Sequence, residues 1–269
     1  MADRVDDAPF ALGGRRLELH RHGPAAGERP TIVFLHEGLG SAAQWRDFPE
    51  RLADATGCGA IVYSRFGYGR SAPITLPRPL RYMHDEGETV LPALLDATGV
   101  QRAILFGHSD GASIALVHAG TPAARGRVIG LVLEAPHVLC EDVSVESIAR
   151  ARDAYLTGDL RERMARYHDD VDGAFWGWNR AWLDPAFRAW NLEGYLPTIA
   201  APTLVVQGED DPYGTLAQVE AVARGVPGGV ERRILPRCGH APHRERPEET
   251  LAVATDFIRR IVHAFAGAP

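Results

Sequence analysis

An α/β fold, with an open, mostly parallel sheet flanked by helices and carrying an inserted helical lid, is the class predicted by three features of the sequence. Short apolar runs bounded by Gly, Pro, Ser or Asp recur at Thr31–Leu35, 60–63, 103–106, 128–133 and 203–207, and such runs read as strands buried on both faces. Stretches of helical character fall between them, at 45–56, 84–99 and 111–120, which is the strand–helix–strand order that parallel crossovers require. From about Cys140 to Leu196 the strands stop, and the segment turns charged and aromatic, holding four of the five tryptophans.

In chain order, an apolar piece ending at Leu12, a Gly13-Gly14 turn and the alternating Leu17 and Leu19 predict a hairpin of two short strands. The strand and helix alternation follows. The aromatic segment then divides the chain into a core of residues 1–139 and 197–269 and a lid of residues 140–196. A helical insertion at that point places rings over the C-terminal edge of the sheet, where ligands of such sheets bind, so Trp176 and Trp178 are expected to face the substrate. Other rings of the segment serve as the small unit's own core. A last strand-like run, Val230–Leu235, closes the pattern.

Composition narrows the function classes. The 269 residues are 45% hydrophobic and 24% charged, enough for one large buried core and against disorder. The formal net charge is −6 and no basic run stands out, so nucleic acid is not expected as a partner. No apolar stretch approaches the roughly 20 residues of a membrane span, and the acidic start MADRVDDAPF is unlike a signal peptide. A cytoplasmic location is therefore expected, with a small molecule as substrate. Cys58, Cys140 and Cys238 are odd in number and far apart, which suits free thiols. The chain has no lysine, so lysine-based covalent chemistry is absent. His84, His118, His137, His168 and His243 lack the spacing of metal ligands; neither a metal nor a cofactor is expected.

The chemistry concentrates at Gly107-His108-Ser109-Asp110-Gly111, directly after one strand and directly before a helix. A serine on so tight a turn is strained, and glycines two before and two after let strand and helix approach. Its hydroxyl projects at the sheet edge, and the N–H of Asp110, in the first helical turn, points towards a developing oxyanion. A general base is supplied by His240 in Cys238-Gly239-His240-Ala241-Pro242-His243, and an acid to orient it by Gly208-Glu209-Asp210-Asp211-Pro212.

These motifs make the chain resemble the α/β-hydrolase fold superfamily over nearly its whole length, its biphenyl-hydrolase-like and carboxylesterase-like members among them. Phe34-Leu35-His36-Glu37-Gly38-Leu39-Gly40-Ser41 resembles the family's H-G-x-x-G-type oxyanion loop. Tyr63-Ser64-Arg65-Phe66-Gly67-Tyr68-Gly69-Arg70-Ser71 resembles its D-x-R-G-x-G-x-S turn, and Gly239-His240-Ala241-Pro242 with Arg246-Pro247-Glu248 its G-H-x-P…x-P-E ending. The resemblance implies Ser109 as nucleophile, His240 as base and Asp211 as acid. It implies oxyanion donors at Asp110 and Gly38, with Glu37 the alternative because it stands where the family has glycine. It implies that His36 and His108 pack under the site and bond backbone. A minority of the superfamily takes the acid from the strand end occupied by Glu134, which is the competing choice.

Glu37, Asp110 and Glu134 lie close to this constellation in the motifs, and His137 is placed at the pocket mouth. Together the three acids suggest a pocket that binds a cation, because an unpartnered buried carboxylate is costly and a substrate ammonium would satisfy it; the plainer role of Asp110 is a carboxylate at a helix start. The expected reaction is acyl transfer to Ser109 from an ester, lactone, thioester or amide, followed by hydrolysis. C–C bond hydrolysis of a dienone or β-diketone ring-cleavage product, and non-catalytic ligand binding, are the alternatives. Oligomeric state leaves no mark in the sequence.

Overall fold

The computed structural model describes residues 10–266. The acidic start read above as unlike a signal peptide lies, apart from Phe10, outside them. A seven-stranded sheet forms the centre in the order β3-β5-β4-β6-β7-β8-β9: β3 (Leu19–His22), β4 (Thr31–Leu35), β5 (Gly59–Tyr63), β6 (Ala103–His108), β7 (Val128–Glu134), β8 (Thr203–Gly208) and β9 (Val230–Leu235). Only the edge strand β3 is antiparallel to its neighbour. The expected N-terminal hairpin exists as β1 (Phe10–Leu12) and β2 (Arg15–Leu17), a separate two-stranded sheet. Leu19, read as its second strand's continuation, opens β3 instead.

Alternation along the central strands explains why they are apolar throughout. Val33, Leu35 and Leu105 point into one core, and Ile32, Phe34, Ile104 and Phe106 into the other, because successive side chains leave a strand on opposite faces. The second core is covered by α1 (Phe48–Thr56) and α10 (Pro247–Ala266). The first is covered by α2 (Tyr82–Asp85), α3 (Leu91–Ala97), α4 (Asp110–Ala119) and α8 (Leu216–Gly225). The helix expected from residue 45 begins at Phe48, after a 3-10 turn at Ala42–Trp45. That expected over 84–99 starts at Tyr82 and contains a π turn, Glu86–Val90, which removes Pro92 from the demand for a regular helical partner.

Between β7 and β8 stand α5 (Asp142–Thr157), α6 (Leu160–Ala165) and α7 (Val171–Leu183), followed by two 3-10 turns. Trp182 stacks among Phe187 and Trp190, at 4.7 and 5.8 Å between ring centres, so much of the aromatic content is internal packing. The short α9 (Pro242–Glu245) leads into α10. The chain runs from β4 out to β5 and returns to β6 on the other side of β4. This reversal opens a crevice at the strands' C-terminal ends, flanked by the loops after β4 and β6. Among the described residues no helix is long and apolar enough to cross a membrane.

Candidate active site

Ser109 is the residue joining β6 to α4, with φ 53° and ψ −118°. A positive φ costs an L-residue on the order of 1–3 kcal/mol, and hydrogen bonds on both sides hold it. The Ser109 N–H donates to the Glu134 carbonyl at 2.9 Å, and its own carbonyl accepts the Ser113 N–H at 3.0 Å. Gly111 allows α4 to start against the end of β4: a methyl group there would sit 1.9 Å from the Leu35 carbonyl oxygen.

The loop after β9 carries His240 back over the sheet edge. The Ser109 hydroxyl lies 2.9 Å from His240 Nε2, and His240 Nδ1 lies 2.9 and 2.8 Å from the two carboxylate oxygens of Asp211, just beyond β8. Asp211 also accepts the Tyr213 N–H at 2.8 Å and the Gln207 amide at 2.7 Å. Burial works to raise the Asp211 carboxyl, but the charge and hydrogen bond of His240 outweigh it and hold it below the ordinary carboxylate value.

A second layer supports these groups. His108 Nε2 lies 2.7 Å from the backbone carbonyl of His240, and a carbonyl only accepts, so Nε2 carries hydrogen. Its Nδ1 is 3.5 Å from the Glu37 carboxylate. Burial opposes both charges, yet each sustains the other: Glu37 is held below and His108 above its usual value. This pair, a buried His108 and a half-buried Glu37, connects the loop after β4, the end of β6 and the loop bearing His240. His36 is neutral and structural, donating from Nδ1 to the Glu37 carbonyl at 2.7 Å and accepting the Arg65 N–H at Nε2, 3.0 Å away; burial, aided by Arg65, keeps its pKa low.

The pair gives stability a definite pH dependence. The depressed Glu37 contributes above its ordinary value of 4.5 and loses that contribution as pH falls through its folded value. The raised His108 contributes below its ordinary 6.5 and loses it as pH rises through its folded value. The urea midpoint is therefore expected to fall between about pH 6 and about pH 9 by more in the wild type than in His108→Gln; an equal fall in both contradicts the assignment.

A cavity of about 100 Å³ opens over Ser109 and His240, walled by Glu37, Gly38, Leu39, Asp110, His137, Ile148, Trp178, Trp182 and Tyr213. His137, buried and beside the charge of His240, is pushed down to about 3 and stays neutral. Two expected substrate contacts require correction. Trp176 does not line the cavity: it precedes Trp178 by two residues, about 200° around α7, and packs on Tyr155 and Phe175, under the Arg180 guanidinium. Glu134 is also absent from the wall. It is fully buried and its carboxylate accepts His243 Nδ1 at 2.6 Å, while His240 turns to Asp211, so Glu134 does not stand where the competing triad acid would. Leu39, Ile148, Trp182 and Tyr213 were not singled out as wall residues by the sequence. Trp182 is four residues from Trp178 and shares its helical face, and Tyr213 is two beyond Asp211; Ile148 carries no comparable signal.

Of the three acids expected in the pocket, Glu37 and Asp110 do line it and each has a partner within the protein, though Asp110 Oδ1 has no hydrogen-bond partner among the described residues. Asp110 Oδ2 accepts the Tyr82 hydroxyl at 2.5 Å, which in turn accepts Trp182 Nε1 at 3.0 Å, and the buried Arg65 guanidinium is 3.7 Å away. Glu37 is matched by His108. The structure further groups His108, Glu134 and His243, with one potential metal-ligating atom of each within 4.8 Å of the others, a proximity that sequence spacing did not reveal; Glu134 and His243 already bond one another there.

Residues 32–253 match the family model described as Alpha/beta hydrolase family. The chain is 31% identical over 265 residues to the "Putative carbamate hydrolase RutD" of Variovorax paradoxus (strain S110), covering 91% of this chain and 97% of that relative. It is 24% identical over 268 residues to the 2-hydroxy-6-oxo-6-phenylhexa-2,4-dienoate hydrolase of Comamonas testosteroni, covering 89% and 91%. The enol-lactonase from Burkholderia xenovorans LB400 superposes with a TM-score of 0.71 at 23% identity, covering 93% of this chain and 98% of that structure.

Proposed function

This chain belongs to the alpha/beta hydrolase family, and from that premise we propose that it is a serine hydrolase cleaving a small-molecule ester, lactone, thioester or amide through an acyl-Ser109 intermediate. The observation that carries this reading is the unbroken contact from the Ser109 hydroxyl through His240 to Asp211. His240 takes the hydroxyl proton as Ser109 attacks the carbonyl, and Asp211 holds the imidazole with Nδ1 protonated and stabilises the imidazolium. The proton then passes to the leaving group, and water, deprotonated in turn by His240, releases the acid.

The oxyanion is assigned to the N–H groups of Asp110 and Gly38. The Glu37 carbonyl is turned towards His36 Nδ1 and Arg65 Nη2, at 2.7 and 2.9 Å. In a trans peptide the next N–H points the opposite way, which supports Gly38 over Glu37 as donor. The segment 140–196 acts as the lid, contributing Ile148, Trp178 and Trp182 to the cavity, and a volume near 100 Å³ suits a small acyl group.

A preference for a cationic acyl group has a weaker premise than the motifs alone give it, because the Asp110 carboxylate lies 3.7 Å from the Arg65 guanidinium and the Glu37 carboxylate 3.5 Å from the His108 ring, although Asp110 Oδ1 keeps no hydrogen-bond partner among the described residues. An amino-acid ester and its N-acetyl form are therefore expected to be cleaved at similar rates in a kcat/KM comparison. The similarity to a dienoate hydrolase supports C–C bond hydrolysis as a second reading, since it can employ the same three residues. Fluorophosphonate labelling, read by intact mass, is expected on Ser109 and not in Ser109→Ala. Turnover of p-nitrophenyl esters and lactones, with a vinylogous 1,5-diketone left intact, supports the ester reading; the reverse pattern establishes the C–C reading, and an unlabelled, inactive enzyme overturns both.

A further inference from the structure

A second and larger cavity, about 310 Å³, lies on the other side of Glu37 and Leu39, which it shares as a common wall with the cavity over Ser109. Its floor is apolar, from Leu160 and Met164, and its charged groups are Arg163, Arg166 and Arg244 against the single carboxylate of Glu37. That carboxylate is matched by His108. Arg163 pairs with Asp159, the residue at the start of its own helix, whereas neither Arg166 nor Arg244 forms an ion pair among the described residues. The chamber thus presents an excess of positive charge in a protein whose net charge is −6.

Resting on the serine-hydrolase reading, we propose that this chamber is a subsite for an anionic part, a carboxylate or a phosphate, of the molecule whose carbonyl reaches Ser109. Guanidinium groups suit either anion, because their planar N–H forks match two of its oxygens at once. Two surfaces contribute. Arg163 belongs to α6 of the insertion and Arg166 follows it directly, while Arg244 lies on α9, four residues beyond His240. An anion held between them joins the insertion to the loop that carries the base, so its binding is coupled to the arrangement of the catalytic groups. Because Glu37 and Leu39 line both cavities, the proposal places the reacting carbonyl in the smaller and the anion in the larger.

Two matched pairs of substrates locate the anion. Mono-p-nitrophenyl glutarate against its methyl ester places a carboxylate on the acyl side; S-acetyl-4′-phosphopantetheine against S-acetylpantetheine places a phosphate on the leaving-group side. In at least one pair the anionic member is expected to have a kcat/KM about tenfold or more above the neutral one at low salt, falling towards parity in Arg166→Gln/Arg244→Gln and at high salt. No preference in either pair, or one that survives the double substitution, overturns the proposal. Calorimetric titration of the full-length Ser109→Ala protein with glutarate and with 4′-phosphopantetheine reads the chamber without turnover. Binding that is lost on adding the two arginine substitutions supports the subsite, and absence of binding to either anion overturns it. Binding by a wild type that neither turns over nor is labelled would leave the chamber standing and remove the hydrolase reading instead.

Discussion

His240→Ala is expected to lower kcat for a p-nitrophenyl ester by roughly 10⁴- to 10⁶-fold, and Ser109→Ala by a similar factor, with the double variant little worse than either. The losses do not add, because a hydroxyl without its base and a base without its hydroxyl are equally unable to begin the reaction. The acid separates the two carboxylate assignments. Asp211→Asn leaves the geometry in place but offers an amide where the imidazole needs a carboxylate, and about a 10⁴-fold loss in kcat is expected. Glu134→Gln removes the charge facing His243 Nδ1 while keeping an oxygen that can accept from it, so its effect on kcat is expected to stay within about tenfold, with the larger change in stability. A reversal of these two results would transfer the orienting role to Glu134.

Gly111→Ala should be among the most damaging single substitutions to folding. The new methyl would meet backbone, the Leu35 carbonyl at 1.9 Å, and backbone cannot rotate away as a side chain can. A loss of about 3 kcal/mol or more in urea unfolding is expected, above the common range for overpacked cores. Gly126→Ala is the informative comparison. Gly126 has φ +73° but open space where the methyl would go, so only the left-handed backbone cost of about 1–2 kcal/mol applies. Similar losses in the two variants would show that steric contact between α4 and β4 is not what makes Gly111 indispensable.

How much could be read beforehand depended on how local each signal was. The strand-turn-helix sequence around Ser109 lies within a few residues, so the turn and the approach of α4 follow from glycine positions alone. The sheet was similarly legible, since strands buried on both faces leave uninterrupted apolar runs. The choice between Asp211 and Glu134 was not local: both end neighbouring strands, and what distinguishes them is that α9 brings His243 to Glu134. Trp176 and Trp178 were treated alike because both are large and aromatic, although two residues along a helix point in nearly opposite directions. Applying that periodicity would have joined Trp178 with Trp182 instead. The arginine chamber was hidden for a different reason, as Arg244 lies far along the chain from Arg163 and Arg166 and nothing in their spacing unites them.

The hydroxyl of Ser109 and the imidazole that meets it are separated by 131 positions in the chain. Pairings of such long range form late, after the entropy of closing a large loop has been overcome. A ribosome-bound chain that already contains the whole of β6 and α4 still has an ordinary alcohol at Ser109, inert towards acylating reagents. In refolding followed over time, reactivity towards a fluorophosphonate should therefore trail the packing of Trp182 on Phe187 and Trp190, rings that all precede β8 in the chain, making the probe a clock for the arrival of the C-terminal segment.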